Sequence, residues 1–203
     1  MAGKQSRELK PLQDPKGRYH VLKACIGSGT FGKVYMALDT EKEDALRVVK
    51  IQAASEESTI ERLTGGFLQN RSHPNVMALL DWWSDGELAA MVFDHMEISL
   101  WKMNVQRAGV WTEPEANHIF RSVAAGLEHC HHCQVVHGDL AASNILVSPC
   151  ALPISKMLVK ITDFGSSIDP QSFELQGRVT TIYWPQFVSN ILIMIIVMMA
   201  LAL

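Results

Sequence analysis

The chain has 203 residues, a length for one domain or two small ones, and enough for a sizeable core. Its net charge of −3 lacks the basic field of a nucleic-acid binder, so no nucleic-acid partner is expected. Four cysteines (Cys25, Cys130, Cys133 and Cys150) make no disulfide framework at this size, which points to a reducing compartment, cytoplasmic or nuclear.

Residues 1–17 read as a polar, flexible leader with no apolar signal segment. From Arg18 to Lys50 the pattern is strand and turn, with a glycine cluster at 27–32 and a charged hairpin tip from Asp39 to Asp44. The stretch 56–70 is weakly helical, and Gly65-Gly66 argues against it. Two further strands are expected over Val76–Trp83 and Leu88–Phe93, around Asp85-Gly86. Thr112-Glu113-Pro114-Glu115 has the form of a helix start, with a capping-box glutamate and a first-turn proline. Ile119, Phe120, Val123, Ala124, Leu127 and Cys130 carry that helix on at helical spacing to about His132. Short strands are expected at Val135-Val136, Ile145–Val147 and Met157–Ile161. The order is a β-rich part, a connector near 94–99, and a helical part: an α+β chain. The end, 187–203, is apolar but for Ser189 and Asn190, close to the lower length limit for a membrane-spanning helix.

Gly27, Gly29 and Gly32, with Ser28 and Thr30 between them and Val34 following, place three glycines in a turn between two strands. Such a turn brings backbone N–H groups close to phosphate oxygens because no Cβ intrudes. The same residues also suit an ordinary hairpin, and a following strand argues against a dinucleotide fingerprint. A lysine on the third strand is expected to meet the α- and β-phosphates. Two registers are open: Lys50, eighteen residues after Gly32, is preferred, and Arg47 is the alternative.

His137-Gly138-Asp139-Leu140-Ala141-Ala142-Ser143-Asn144 is followed by Asp163-Phe164-Gly165. Asp139 and Asn144 share one loop between strands, and Asp163 ends a strand. A carboxylate can accept the proton of an attacking hydroxyl, and an Asn–Asp pair offers hard oxygen ligands to Mg²⁺. Each motif alone suits a surface turn; all of them in this order do not arise by coincidence.

On these motifs the chain closely resembles the protein kinase family over about residues 19–184, most of all the cyclin-dependent and related Ser/Thr kinases. His73-Pro74-Asn75, Val92–Met96 and Val179–Trp184 add to the likeness. The resemblance implies a bilobal fold, with an ATP-binding small lobe over 18–96, a partial large lobe over 97–184 and a non-family tail over 185–203. It implies ATP-dependent phosphorylation of protein Ser/Thr hydroxyls, with ATP and Mg²⁺ as cofactors, a protein substrate and a cyclin-like regulatory partner not otherwise supported. By the same resemblance the backbones of Asp94 and Met96 contact adenine, Asn144 and Asp163 hold the metal, and Asp139 is the catalytic base.

The departures are specific. Gly138 stands where the family has an arginine, and Ala141 where Ser/Thr kinases have a lysine that steadies the transferred phosphoryl group. The regulatory-helix glutamate stays open between two counts: an ungapped count back from His73 lands on Thr64, and Glu61, one helical turn earlier, is the candidate. Residues 148–156 read as a surface insertion. After Trp184 the resemblance implies further helices, but the chain turns apolar. That tail reads as replacement sequence, a membrane anchor or an aggregation-prone segment. The rival function is therefore a catalytically weak or inactive ATP-binding module, with membrane association through 187–203. Glu128–Cys133 looks like a zinc site but lacks a second ligand pair, and is read as a helix end.

Overall fold

A computed structural model describes residues 12–29, 32–148, 153 and 156–168. Thr30, most of the leader, most of the 148–156 insertion, the 179–184 motif and the apolar tail lie outside the described residues. The chain forms two compact units: one covers residues up to 58 and 79–95, the other 59–78 and the residues from 96 on.

In the first unit, β1 (Tyr19–Gly29), β2 (Gly32–Asp39), β3 (Ala45–Ala53), β4 (Leu79–Ser84) and β5 (Leu88–Asp94) form one antiparallel sheet. Its order is β1-β2-β3-β5-β4. Alternation decides the faces. On β3, Val49 and Ile51 are fully buried and pack with Tyr19, Val21, Tyr35, Ala37, Trp83, Ala90 and Val92. The charged tip after β2 folds as a 3-10 turn over Thr40–Lys42, closed by Glu43 and Asp44 in left-handed backbone. Asp39 caps that turn by accepting from the Glu41 N–H.

Helix α1 (Glu56–Gln69) runs through Gly65-Gly66, against the expectation drawn from its glycines. Its start is fixed by Ser55 and Ser58, whose hydroxyls accept from each other's backbone N–H at 3.3 and 2.9 Å. Gly65 and Leu68 are buried, so tertiary packing offsets the cost of two glycines.

In the second unit, β6 (Ile98–Ser99), β7 (Ile145–Ser148) and β8 (Leu158–Ile161) form a small antiparallel sheet, and α2 (Leu100–Gln106) and α3 (Glu113–His132) supply the helical part. The α3 start is as expected: the Glu115 carboxylate accepts from the Thr112 N–H at 2.9 Å and takes the Arg107 guanidinium at 2.9 and 3.0 Å. Ile119, Val123, Leu127 and Cys130 line its buried stripe against Ile145, Val147, Val159 and Ile161. Gly126 lets α3 approach the His73-Pro74-Asn75 turn, because a Cβ there would lie 2.8 Å from the Asn75 carbonyl oxygen.

Two expected strands are shorter than predicted. Val76 makes only an isolated parallel bridge with Ile161, and β4 begins at Leu79. Val136 makes a single antiparallel bridge with Ile168 in place of a strand over Val135-Val136. Each has one pairing partner at that point, too little to propagate a ladder.

Candidate active site

The glycine hairpin belongs to the first unit. Its register pairs Gly27 with Val34, Ser28 with Lys33 and Gly29 with Gly32. Gly32 has φ +139°, and a Cβ on it would collide with the Ile51 carbonyl oxygen and lie 2.8 Å from Gln52 Cβ. The third glycine is thus required by the closeness of β3, which holds the hairpin against the strand that carries Lys50.

Lys50 lies mid-strand, opposite Val34 on β2 and Met91 on β5. Val48, two residues earlier, is on the same face, and Val49 and Ile51 point the other way into the core. Arg47 is on the core side of β3. It pairs with Asp94 at 3.3 Å and sits 3.7 Å from Asp39, so its guanidinium is committed to two carboxylates. The same pair bears on the end of β5, where Asp94 lies opposite Arg47 in the ladder.

The second unit holds the acid-amide loop. The Asn144 amide donates to the Asp139 carbonyl oxygen at 2.8 Å and to the Asp139 carboxylate at 3.1 Å. A 3-10 turn over Ala142–Asn144 sets that spacing. Thr162 then ties the loop to the strand before Asp163. Its N–H donates to the Asn144 carbonyl oxygen, and its own carbonyl accepts from His137 Nε2, both at 2.9 Å. His137 is 3% exposed, and its ring packs on Phe164 with centroids 4.8 Å apart. Burial holds the His137 imidazole below its ordinary pKa, against the opposing hydrogen bond to Thr162. It is therefore neutral and fixed as a spacer between the loop and the strand.

Asp163 has φ +66°, a left-handed backbone uncommon for a side-chain-bearing residue. Such strain persists only where the surroundings over-determine it, and it clusters at functional sites. The hard oxygens of Asn144 and Asp163 suit Mg²⁺, since the Asn144 amide nitrogen faces Asp139 and, among the described residues, its oxygen meets the Ser143 hydroxyl at 3.3 Å. Ala141 is exposed beside this loop and brings no charge.

Met96 is 9% exposed, just before β6. Glu61 is 4% exposed within α1, and Thr64 places its hydroxyl 2.8 Å from that of Ser167. Sequence reasoning missed Thr162 and Asn75 as fixing residues. Asn75 donates to the Val159 carbonyl at 2.8 Å and accepts from the Ile161 N–H at 2.9 Å, bracing β8. Its signal was the His73-Pro74-Asn75 turn. In the Glu128–Cys133 segment, Cys130 is in the core, where burial pushes its thiol up to about 12. His129 stacks on His73, and among the described residues no group of three or more His, Cys, Asp or Glu is placed to hold a metal ion.

Comparisons with known proteins fall on the same residues. The protein kinase domain model matches residues 19–188. The chain is 33% identical over 160 residues to cell division control protein 2 homolog 3 of Trypanosoma brucei brucei, covering 76% of this chain and 48% of that protein. It is 33% identical over 169 residues to cyclin-dependent kinase C-2 C of Arabidopsis thaliana, covering 78% and 25%. A crystal structure of Rad53 residues 1–466 with AMP-PNP matches with a TM-score of 0.62 and 26% identity, covering 73% of this chain and 38% of that one. The chain thus spans about half or less of the length of these relatives. The α+β kinase-like fold expected from the motifs is met by this likeness. With the family match running through the glycine hairpin, the Asp139–Asn144 loop and Asp163, the chain belongs to the protein kinase family.

Proposed function

We propose that this chain transfers the γ-phosphoryl group of ATP to Ser/Thr hydroxyls of a protein substrate. The observation that supports this best is the Thr162 bracket, which ties the Asp139–Asn144 loop and Asp163 into one hydrogen-bonded unit. In this reading the backbone of Gly27, Ser28, Gly29, Thr30 and Gly32 and the Lys50 ammonium hold the nucleotide phosphates. Val48, on the Lys50 face of β3, covers the base, Val34 contacts the nucleotide, and the backbones of Asp94 and Met96 take the base edge. Asp139 orients the substrate hydroxyl and accepts its proton, while the Asn144 amide keeps the carboxylate in place. Asn144 and Asp163 hold magnesium, which when bound offsets charge on the phosphate oxygens. The relatives' names favour the cyclin-dependent group, and with it a cyclin-like regulatory partner.

The test is a transfer assay with labelled ATP and a generic protein acceptor, run with nucleotide binding in parallel. Asp139→Asn is expected to lower transfer by roughly 10²-fold or more, the scale of a lost general base, and to leave ATP affinity unchanged. Equal transfer in the purified variant would remove Asp139 from that role.

Ala141 favours a second reading, that of a nucleotide-binding module with little or no turnover. No cation stands there to stabilise the transferred group. Mg·ATP binding without measurable transfer is the outcome this reading expects. Membrane association of 187–203, in place of a purely cytoplasmic or nuclear location, is tested by detergent partitioning; a detergent-free soluble monomer argues against it.

A further inference from the structure

Residues 166–168 are held from three sides, and among the described residues the holding contacts are hydrogen bonds and close packing. Ile168 and Val136 exchange two backbone hydrogen bonds of 2.9 Å across an antiparallel bridge. The hydroxyls of Thr64 and Ser167 lie 2.8 Å apart and join α1 to this segment. Ser167 is 6% exposed, so little water could replace that partner. Gly138 has φ +80°, and a Cβ on it would run into the Ser166 carbonyl oxygen. The Ser167 N–H donates back to the Phe164 carbonyl at 3.0 Å and closes the turn.

Asp163 stands at the start of this segment in strained backbone. Strain of that kind persists only where the surrounding structure over-determines it. Upstream, Thr162 is fixed by His137 and Asn144. Downstream, Phe164 packs on His137, and beyond it the turn and these three contacts hold the segment. We infer that Gly138, Thr64 and Ser167 form a neutral clamp that positions Asp163, and that α1 acts on the metal site through Thr64. Gly138 admits the segment by lacking a side chain. Thr64 and Ser167 set its distance from α1 through one hydroxyl pair. The metal role of Asp163 in this inference rests on the proposed phosphotransfer function.

The experiment uses the full chain and its Thr64→Val, Thr64→Ser and Gly138→Ala variants. Two quantities are read: the Mg²⁺ concentration that half-saturates binding of a non-hydrolysable ATP analogue, and amide hydrogen exchange at Val136 and Ile168. Thr64→Val keeps the shape and loses the hydroxyl; Thr64→Ser does the reverse. The half-saturating Mg²⁺ is expected to rise about tenfold in Thr64→Val and Gly138→Ala, with faster exchange at both amides, and to stay within about twofold in Thr64→Ser. A Thr64→Val protein indistinguishable from the parent overturns the clamp. So does a Thr64→Ser protein as impaired as Thr64→Val, because packing would then be the cause. A parent chain that binds no Mg-nucleotide sinks the phosphotransfer reading instead. The exchange rates then decide the clamp alone, and unchanged protection in Thr64→Val rejects it.

Discussion

Asp39 shows how one buried charge is held. Its side chain is 0% exposed, and it takes both Nε and Nη2 of Arg18 at 2.8 Å, with Arg47 at 3.7 Å. The Arg18 hydrogen bond keeps its carboxyl below the usual range, against burial. A carboxylate depressed on folding adds stability above its unfolded pKa of about 3.9, and that stability is lost as pH falls through its folded value. Buried His137 and half-buried His73 have lowered pKa values, each because burial disfavours the charged ring. The unfolded chain then takes up protons first, so stability begins to fall below about pH 6.5. Urea unfolding from pH 8 to pH 3 is expected to show two losses: a first from the histidines and a second below about pH 4. Asp39→Asn should cost about 1–3 kcal/mol at pH 7, by taking from Arg18 and Arg47 the buried carboxylate they share while Glu41 and Asp94 remain beside them, and should shrink the second loss. An unchanged acid limb in that variant would contradict the account. None of this pairing was legible in the sequence, where Asp39 read as the edge of a solvated hairpin tip. Asp139, Asn144 and Asp163 were legible because their spacing lies within one loop and one strand end. Thr64–Ser167 was not, because |i−j| is 103 and only the fold brings the two hydroxyls together.

The elements differ in how far local sequence determined them. Helix α3 was readable from both ends: an N-terminal capping box, then an apolar stripe at helical spacing. Helix α1 was not, since Gly65-Gly66 opposes helix locally and tertiary burial overrides it. The seven-residue α2, capped by Ser99, has too few turns to show a period. Gly66 and Gly126 predict opposite substitutions. Nothing lies within 4 Å of a Cβ at Gly66, whereas one at Gly126 would press on the Asn75 carbonyl at 2.8 Å. Gly66→Ala is therefore expected to stabilise the chain by about 0.5–1 kcal/mol, through helix propensity and a less free unfolded state. Gly126→Ala should destabilise it by about 1–3 kcal/mol through overpacking. Thermal melts of the two single variants check both signs; a destabilising Gly66→Ala would show that α1 needs that glycine.

At the scale of the whole chain, two compact units carry separate cores, and each carries one half of the proposed chemistry. The first presents the glycine hairpin and Lys50 on a five-stranded sheet. The second braces Asp139, Asn144 and Asp163 around Thr162. The α+β class and the family were readable from motif order alone, since order survives where single residues such as Gly138 and Ala141 depart. The central claim is that the acid-amide loop and Asp163 make a working Mg·nucleotide site. The most direct measurement is a thermal shift of the full chain with ATP, with and without Mg²⁺, beside Asp163→Ala. The account predicts a cooperative melt that Mg·ATP raises in the unmutated chain and leaves unmoved in the variant. Equal shifts in both, or no Mg-dependent shift in a chain that melts cooperatively, would contradict it.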